Sequence, residues 1–431
     1  MVEKLSGVYT TVDTLGFVPD VARTREAVLV VGHQFTFPSG TSVSADTYFS
    51  TANPNGSLLP LSNIVEAKQQ LGVINGAVTN DIVTTWTAGT FGSTASGTAG
   101  YDANYNLLRA LELVYKANPS AKVYAALLSG SLVNPLLTPD GTTEALTESL
   151  KYKDIGFVVG ADLEFNSDYL THCVSAANNT NQAERVYIGG QSLNEAFSGS
   201  TDTQALATFD VSTAVALQEA DGRSVCFLGN SLYTFSLGWF SGTATEGVVE
   251  IGGNTMAAYV AGLLSRFSEK TSLLAKGVGV FLPAYKGRSF KWSQAQLEAN
   301  YDNSMLSVRF DPTANITYHF EKAMTFTPKA SAWVKITRRR IIDRVTRDTR
   351  KTVKAEIGED NTANRRSSAE DRILRLLRGL IGEGIIKNKI SASVFVLTGD
   401  EANGIVRANV VVTPVTEIEE VQLTIGVDLL G

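Results

Sequence analysis

The 431-residue sequence holds only two cysteines and three histidines, and just 19% of its residues are charged. Cys173 and Cys226 sit in the apolar runs YLTHCVSAA and SVCFLG. There a thiol packs as a small hydrophobe. So few cysteines exclude a disulfide-stapled scaffold, although one bridge between the two stays open. His33, His172 and His319 lie far apart, and neither HExxH nor a paired CxxC occurs, so no metal-site signature is present. His172 adjoins Cys173, but successive residues on a helix point ~100° apart and do not chelate together. GxxxxGK[ST] and GxSxG are missing, and GVGVF at 277–281 has the wrong glycine spacing for a dinucleotide. Carboxylates are numerous but form no signature pair. The sequence therefore supports neither an enzyme nor a bound cofactor. No run of 18 apolar residues occurs, and MVEKLSGVYTTVD lacks the apolar core of a signal peptide. No membrane insertion is expected.

What is present is enough to fold. Apolar residues make up 44%, above the range of disordered chains. The length allows two or three ordinary domains. The net charge of −6 is unevenly placed. Residues 335–389 hold 16 Lys/Arg against 8 Asp/Glu, which leaves 21 against 35 elsewhere. A basic segment is embedded in an acidic chain.

The order of elements predicts an α/β fold. EAVLVVG at 26–32 reads as a strand buried on both faces, 33–60 as loop, 61–72 as a short helix, and 84–100 as a Gly/Ser/Thr-rich loop. A helix over 102–119 leads to a strand at 122–128. Strands at 155–160, 185–190, 224–229 and 277–282 then alternate with helices near 166–177, 203–219 and 254–268. Strands spaced by helices argue for a parallel or mixed sheet. The last third differs. Strands at 305–310 and 315–326 precede a long helix over 335–357. A second helix is expected from Ser367, with Glu370 at capping-box spacing and Ile373, Leu376, Leu377 and Leu380 inward. Strands at 393–399 and 404–414 follow. VQLTIGVDLLG alternates Val421, Leu423, Ile425, Val427 and Leu429 with polar or small residues, a strand that can join its own sheet or a neighbour's.

On the long helix, Ile342, Val345, Thr349, Val353 and Ile357 share one side, and Arg340, Arg344, Arg347, Lys351 and Lys354 line the opposite one. Same-sign charges at i,i+3 and i,i+4 repel by a few tenths of a kcal/mol each. The stripe is either a solvated face or the complement of an acidic partner. Nucleic acid fits poorly, because the rest of the chain is acidic and no aromatics interleave the basic residues.

The sequence resembles the contractile tail sheath family of phages and related injection systems. LSGVYTTVD is similar to the family's opening, TREAVLVVG to its first core strand, and LPLSNIVEAKQQLG and YDANYNLLRALELVYKANPSAKVYAALL to the segments that follow. AWVKITRRRIIDRVTRDTRKTV at 332–353 and IEEVQLTIGVDL at 418–429 are the clearest stretches. The stretch GVVEIGGNTMAAYVAGLLSR is only loosely similar. The resemblance implies a discontinuous inner α+β domain built from both chain ends, an inserted outer α/β domain and extended terminal arms. It implies a linking arm over 1–20, an outer region over 21–300, an inner tube-facing domain over 301–414 and a linking strand over 415–431. It also implies a virion-tail structural protein, assembled in the host cytoplasm as stacked hexameric rings of itself. Its partners would be the tail tube, baseplate and tail terminator proteins. Val8, Tyr9, Val12, Val421, Leu423, Ile425, Val427 and Leu429 would then form intersubunit strands, and Arg340, Arg344, Arg347, Lys351 and Lys354 would face the tube. A capsid or surface-layer subunit, or an α/β enzyme without a recognisable motif, are the alternatives.

Overall fold

The computed structural model describes residues 26–33, 57–67, 106–128, 141–161, 164–178, 181–191, 215–235, 247–274, 276–278, 282–285, 288–289, 291–310, 318–354, 361–396 and 406–415. The chain forms β1 (Ala27–His33), β2 (Leu58–Leu61), α1 (Ile64–Ala67), α2 (Asn106–Ala117), β3 (Val123–Leu128) and α3 (Thr142–Ser149). It continues through β4 (Ile155–Gly160), α4 (Ser167–Ala176), β5 (Val186–Gln191), β6 (Ser224–Leu228), β7 (Asn230–Phe235), β8 (Gly247–Ile251) and α5 (Gly253–Arg266). Then come β9 (Leu282–Tyr285), β10 (Arg288–Ser289), α6 (Gln294–Asp302), β11 (Val308–Phe310), β12 (Tyr318–Phe320), α7 (Ile336–Val353), α8 (Ala363–Gly382), β13 (Ser391–Phe395) and β14 (Arg407–Val411).

The six-stranded sheet has the order β2-β3-β1-β4-β5-β6. All its pairs are parallel except β2 with β3. Alternate residues of each strand point to opposite faces. Val28, Val30, Val123, Ala125, Phe157, Val159 and Ile188 face α2 and α5. Leu29, Val31, Tyr124, Ala126, Val158, Tyr187 and Cys226 face α3 and α4. Both faces are covered, which is why the strands read as unbroken apolar runs. Cys173 and Cys226 are free and buried. Among the described residues no helix is long and apolar enough to cross a membrane.

The main β/α alternation is found where the sequence places it. Several elements depart from it. β2 lies in the segment read as loop; its Leu-Leu-Pro-Leu is short and lacks a β-branched run. Helices α3 and α6 were not expected, because TTEALTES and QAQLEANYD carry too few apolar residues to show a period. α6 announces itself instead by its cap: Ser293 and Gln296 form a reciprocal capping box. Of the strand expected at 277–282, the described residues hold a bridge from Gly277 to His319 and the start of β9 at Leu282, and 279–281 lie outside the described residues. β7, β8, β9 and β10 form a separate antiparallel sheet. Of the helix expected near 203–219, residues 203–214 lie outside the described residues, as do the loop at 84–100 and both terminal strands.

Helices α2 and α5 pack back to back, and Gly262 permits the approach. A Cβ there would lie 2.6 Å from the Val114 carbonyl oxygen and 2.8 Å from Ala117 Cβ. Ala is the better helix former by ~1 kcal/mol, but forcing the helices apart costs ~1–3 kcal/mol. Gly262→Ala should therefore lower the urea midpoint; an unchanged or raised midpoint would mean that the helices have room to spare.

Candidate functional site

Five parallel strands start along one edge of the sheet, and charged residues crowd that edge. Glu26 precedes β1, Lys122 β3, Asp154 β4, Glu184 and Arg185 β5, and Arg223 leads into β6. Lys122 and Asp154 pair with each other at 2.7 Å. Glu26, Glu184 and Arg223 meet α7, which carries Arg339, Arg340, Asp343, Arg347 and Arg350 on the side turned to them.

Arg340 is 3% exposed. Its Nε and Nη2 donate to Glu26 Oε2 at 3.2 and 3.0 Å. Its remaining hydrogens reach the carbonyls of Leu264, Phe267 and Ser268, at 3.0, 2.9 and 3.2 Å. These lie at the C-terminal end of α5, where a cation offsets the helix dipole and satisfies orphan carbonyls. Arg347 Nη2 takes the other oxygen of Glu26 at 2.7 Å. Burial alone would raise the Glu26 carboxyl, but Arg340 and Arg347 outweigh it and hold it below the ordinary carboxylate value. Burial likewise pushes Arg347 down, and Glu26 more than restores it.

A second set lies about a quarter-turn round the helix. Asp343 accepts from Arg339 Nε at 3.0 Å and from Arg223 at 3.1 and 3.2 Å. Arg339 also stacks on Trp333, 4.3 Å from the ring centroid. Trp333 fits because Gly222 has a positive φ of 68° and no side chain; a Cβ there would lie 2.6 Å from Trp333 Cβ. Arg350 pairs with the buried Glu184. The helix thus straddles the sheet edge, with one set of contacts at β1 and the other at β5 and β6. Phe157 of β4 lies beneath Arg340, 5.4 Å from ring centroid to guanidinium.

Arg185 is the exception at this edge. It is fully buried and donates to Ser149 Oγ and the Ser149 carbonyl at 2.5 Å, to Tyr152 O at 3.0 Å and to His172 Nε2 at 2.9 Å. Burial, aided by Arg185, pushes His172 down to about 3, so its ring is neutral and accepts. Burial draws Arg185 itself down to about 10. His172 is a buried, hydrogen-bonded core group.

Three of the five residues read as a basic stripe on α7 are engaged within the chain. Arg340 and Arg347 are committed to Glu26. Arg344 pairs with Glu269, Asp348 and Glu383 at 3.3, 3.4 and 2.9 Å. The acidic complement of the stripe lies, for these three, inside the chain. Lys351 and Lys354 remain exposed. The opposite side of α7 packs Ile341 and Val345 against Ile373, Leu377 and Leu380 of α8. α8 begins four residues before Ser367. Thr362 is its cap, accepting from the Arg365 N–H at 3.3 Å. Glu370 is consequently interior and takes the Val394 N–H at 3.2 Å.

On α8 rests a ribbon of β13 and β14, paired antiparallel from Ser391↔Val411 to Phe395↔Arg407. Ala392, Val394, Val410 and Val412 pack on the α7–α8 cluster. Phe395, Val406 and Val411 remain 37%, 43% and 48% exposed. Among the described residues no third strand joins it. Strands were expected at 393–399 and 404–414; those described are Ser391–Phe395 and Arg407–Val411, and their standing as a pair was not expected. Val8, Tyr9, Val12, Val421, Leu423, Ile425, Val427 and Leu429 lie outside the described residues.

Residues 328–428, which span α7, α8 and the ribbon, match the family model described as the phage tail sheath C-terminal domain. No curated protein matches the chain by sequence. Solved structures similar to it include the anti-feeding prophage helical sheath in its contracted state, at 13% identity over 94% of each chain and a TM-score of 0.61. The sheath complex of an extracellular contractile injection system, also contracted, aligns at 14% identity over 95% of this chain and 93% of its own, with a TM-score of 0.59. A sheath tail protein of Desulfitobacterium hafniense aligns at 9% identity over 92% and 99%, with a TM-score of 0.52. The sheath resemblance read from the sequence is met by a family domain in the last quarter of the chain and by a shared fold along nearly all of it.

Because Glu26 has a depressed pKa, its stabilisation is present above the ordinary value of 4.5 and is lost as pH falls through the lower folded value. Glu26→Gln leaves the buried Arg340 and the half-buried Arg347 without their anion, which should cost ~3–5 kcal/mol at pH 7. Thermal unfolding of both proteins from pH 7 downward should show the gap closing as wild-type Glu26 protonates; a gap constant to pH 3 would contradict the ionic origin.

Proposed function

We propose that this chain is a sheath protein that polymerises with copies of itself as stacked six-membered rings around a tail tube, and that the polymer contracts to drive the tube through a cell envelope. The carrying observation is the β13–β14 ribbon within the sheath-family domain. A two-stranded ribbon is marginal alone in water, and open strand edges gain ladder hydrogen bonds from an added strand. The donors proposed are the terminal segments around Val8, Tyr9 and Val12 and from Val421 to Leu429, contributed by neighbouring copies. The discontinuous architecture belongs to the same proposal. β1 comes from the start of the chain, yet Leu306, Phe320 and Ile336 share its core.

Lys351 and Lys354 are the proposed tube contacts on α7, with Arg340, Arg344 and Arg347 positioning the helix behind them. Exposed ion pairs are individually worth ~0–1 kcal/mol. Strand exchange adds several ladder bonds at ~0.5–1.5 kcal/mol each, together with apolar burial. The tube can then release while the lattice holds. Baseplate and terminator proteins would cap the ends. The similar structures include injection devices named as prophage-derived or extracellular, so this machine can serve as a phage tail or as a free-standing injector.

Deleting residues 419–431 should abolish polymers and leave a folded monomer, read by light scattering and circular dichroism. Polymer that persists after deletion would sink strand exchange. Lys351→Glu with Lys354→Glu should impair assembly on the tube more than self-assembly; equal loss of both would make the pair a contact between subunits. Negative-stain images should show hollow cylinders. Closed shells or flat sheets would favour a capsid or surface-layer subunit.

A further inference from the structure

The clamp on Glu26 occupies a particular place in the chain. Glu26 immediately follows the 25 residues that hold the proposed N-terminal donor segment. Its two carboxylate oxygens go to two different arginines, both on α7. The opposite side of that helix packs through Ile341 and Val345 into the cluster that supports the ribbon. One side chain at the root of the arm is therefore joined by one helix to the strands proposed to receive a neighbour's arm. β1 offers a second hold, since the Ala27 N–H donates to Asp154 O and the Val28 N–H to Lys122 O at 2.8 and 3.0 Å. That route leads into the α/β sheet instead. Glu184 with Arg350 is a similar buried ion pair on the same helix, but it sits at the start of β5, far along the chain from the arm.

We propose that Glu26, with Arg340 and Arg347, is the anchor that couples the N-terminal arm to the α7–α8–ribbon module, so that tension between neighbouring subunits passes through this clamp in addition to the β1 ladder. Glu26 is then a positioning residue for intersubunit linkage. The inference rests on the strand-exchange reading above and goes beyond it by naming where the arm is held. In a chain of subunits, each arm pulls on Glu26 while each ribbon is pulled by another arm. The path between the two points crosses two guanidiniums and one helix. Without the anion, the arm root is held by the β1 ladder alone, and it can open locally well below the cost of global unfolding.

The test compares Glu26→Gln, Arg347→Gln and the double variant with Glu184→Gln, all in the full-length chain. Unfolding midpoints of the unassembled proteins measure the general cost of losing a buried pair. Pelleted polymer after graded guanidinium or shear measures linkage. The expected result is that Glu26→Gln and Arg347→Gln lose polymer at lower denaturant than Glu184→Gln does at comparable monomer stability. The double variant should be no worse than the Glu26 single, because the pair acts as a unit. Glu26→Asp should restore part of the polymer's resistance, and it supplies the milder variant if Gln prevents folding. Polymer loss that follows monomer stability alone, equally for Glu26 and Glu184, overturns the proposal while leaving strand exchange intact. Wild-type chain that never pellets as polymer overturns strand exchange itself, and the anchor with it.

Discussion

The position of α7 is set by charge pairing along the edge where five parallel strands begin. A helix can meet a sheet edge only where the strand-end polar groups find partners. Here the loops that enter the strands supply Glu26, Glu184 and Arg223, and α7 returns an oppositely charged group to each. Buried ion pairs seldom add net stability relative to an apolar contact, yet breaking one is expensive, ~3–5 kcal/mol. Such a set therefore penalises wrong placements more than it rewards the right one. Sliding α7 by one residue would separate Asp343 from Arg223 and Arg350 from Glu184 together. The apolar contact with α8 is more tolerant of sliding, and by itself would leave the helix less well defined.

The same geometry explains what the sequence could and could not disclose. Strands β1, β4, β5 and β6 are buried on both faces, so their apolar runs stand out against polar connections. The α7 stripe was equally visible, since five basic residues fall on one side. Its destination was not. A helical wheel distinguishes an apolar side from a charged one, but it cannot distinguish water from a carboxylate 39 or 314 residues away. Glu26 is the decisive residue, and its charge lies at the far end of the chain from Arg340. Ser367 misled for a local reason: its spacing to Glu370 fits a capping box, but Thr362 supplied an earlier cap and Glu370 was drawn to the backbone of β13. Terminal residues such as Val8 and Val421 fall outside the described residues, and the alternation at 421–429 is a feature of the sequence.

In the proposed contracting sheath, a subunit that moves against its neighbours without unfolding needs stiff joints inside and adaptable ones outside. The inner joint here combines buried charges with close packing, and both resist small displacements. The outer features are different in kind. The ribbon leaves Phe395, Val406 and Val411 partly open, and Lys351 and Lys354 stand in solvent. Exposed lysines carry a mobile charge that can leave one partner and find another at little cost. Guanidiniums fixed between two carboxylate oxygens and three helix-end carbonyls cannot. The division between arginine within and lysine without along a single helix follows this contrast. In the proposed sheath it would let α7 remain fixed in the subunit while its exposed end changes partners.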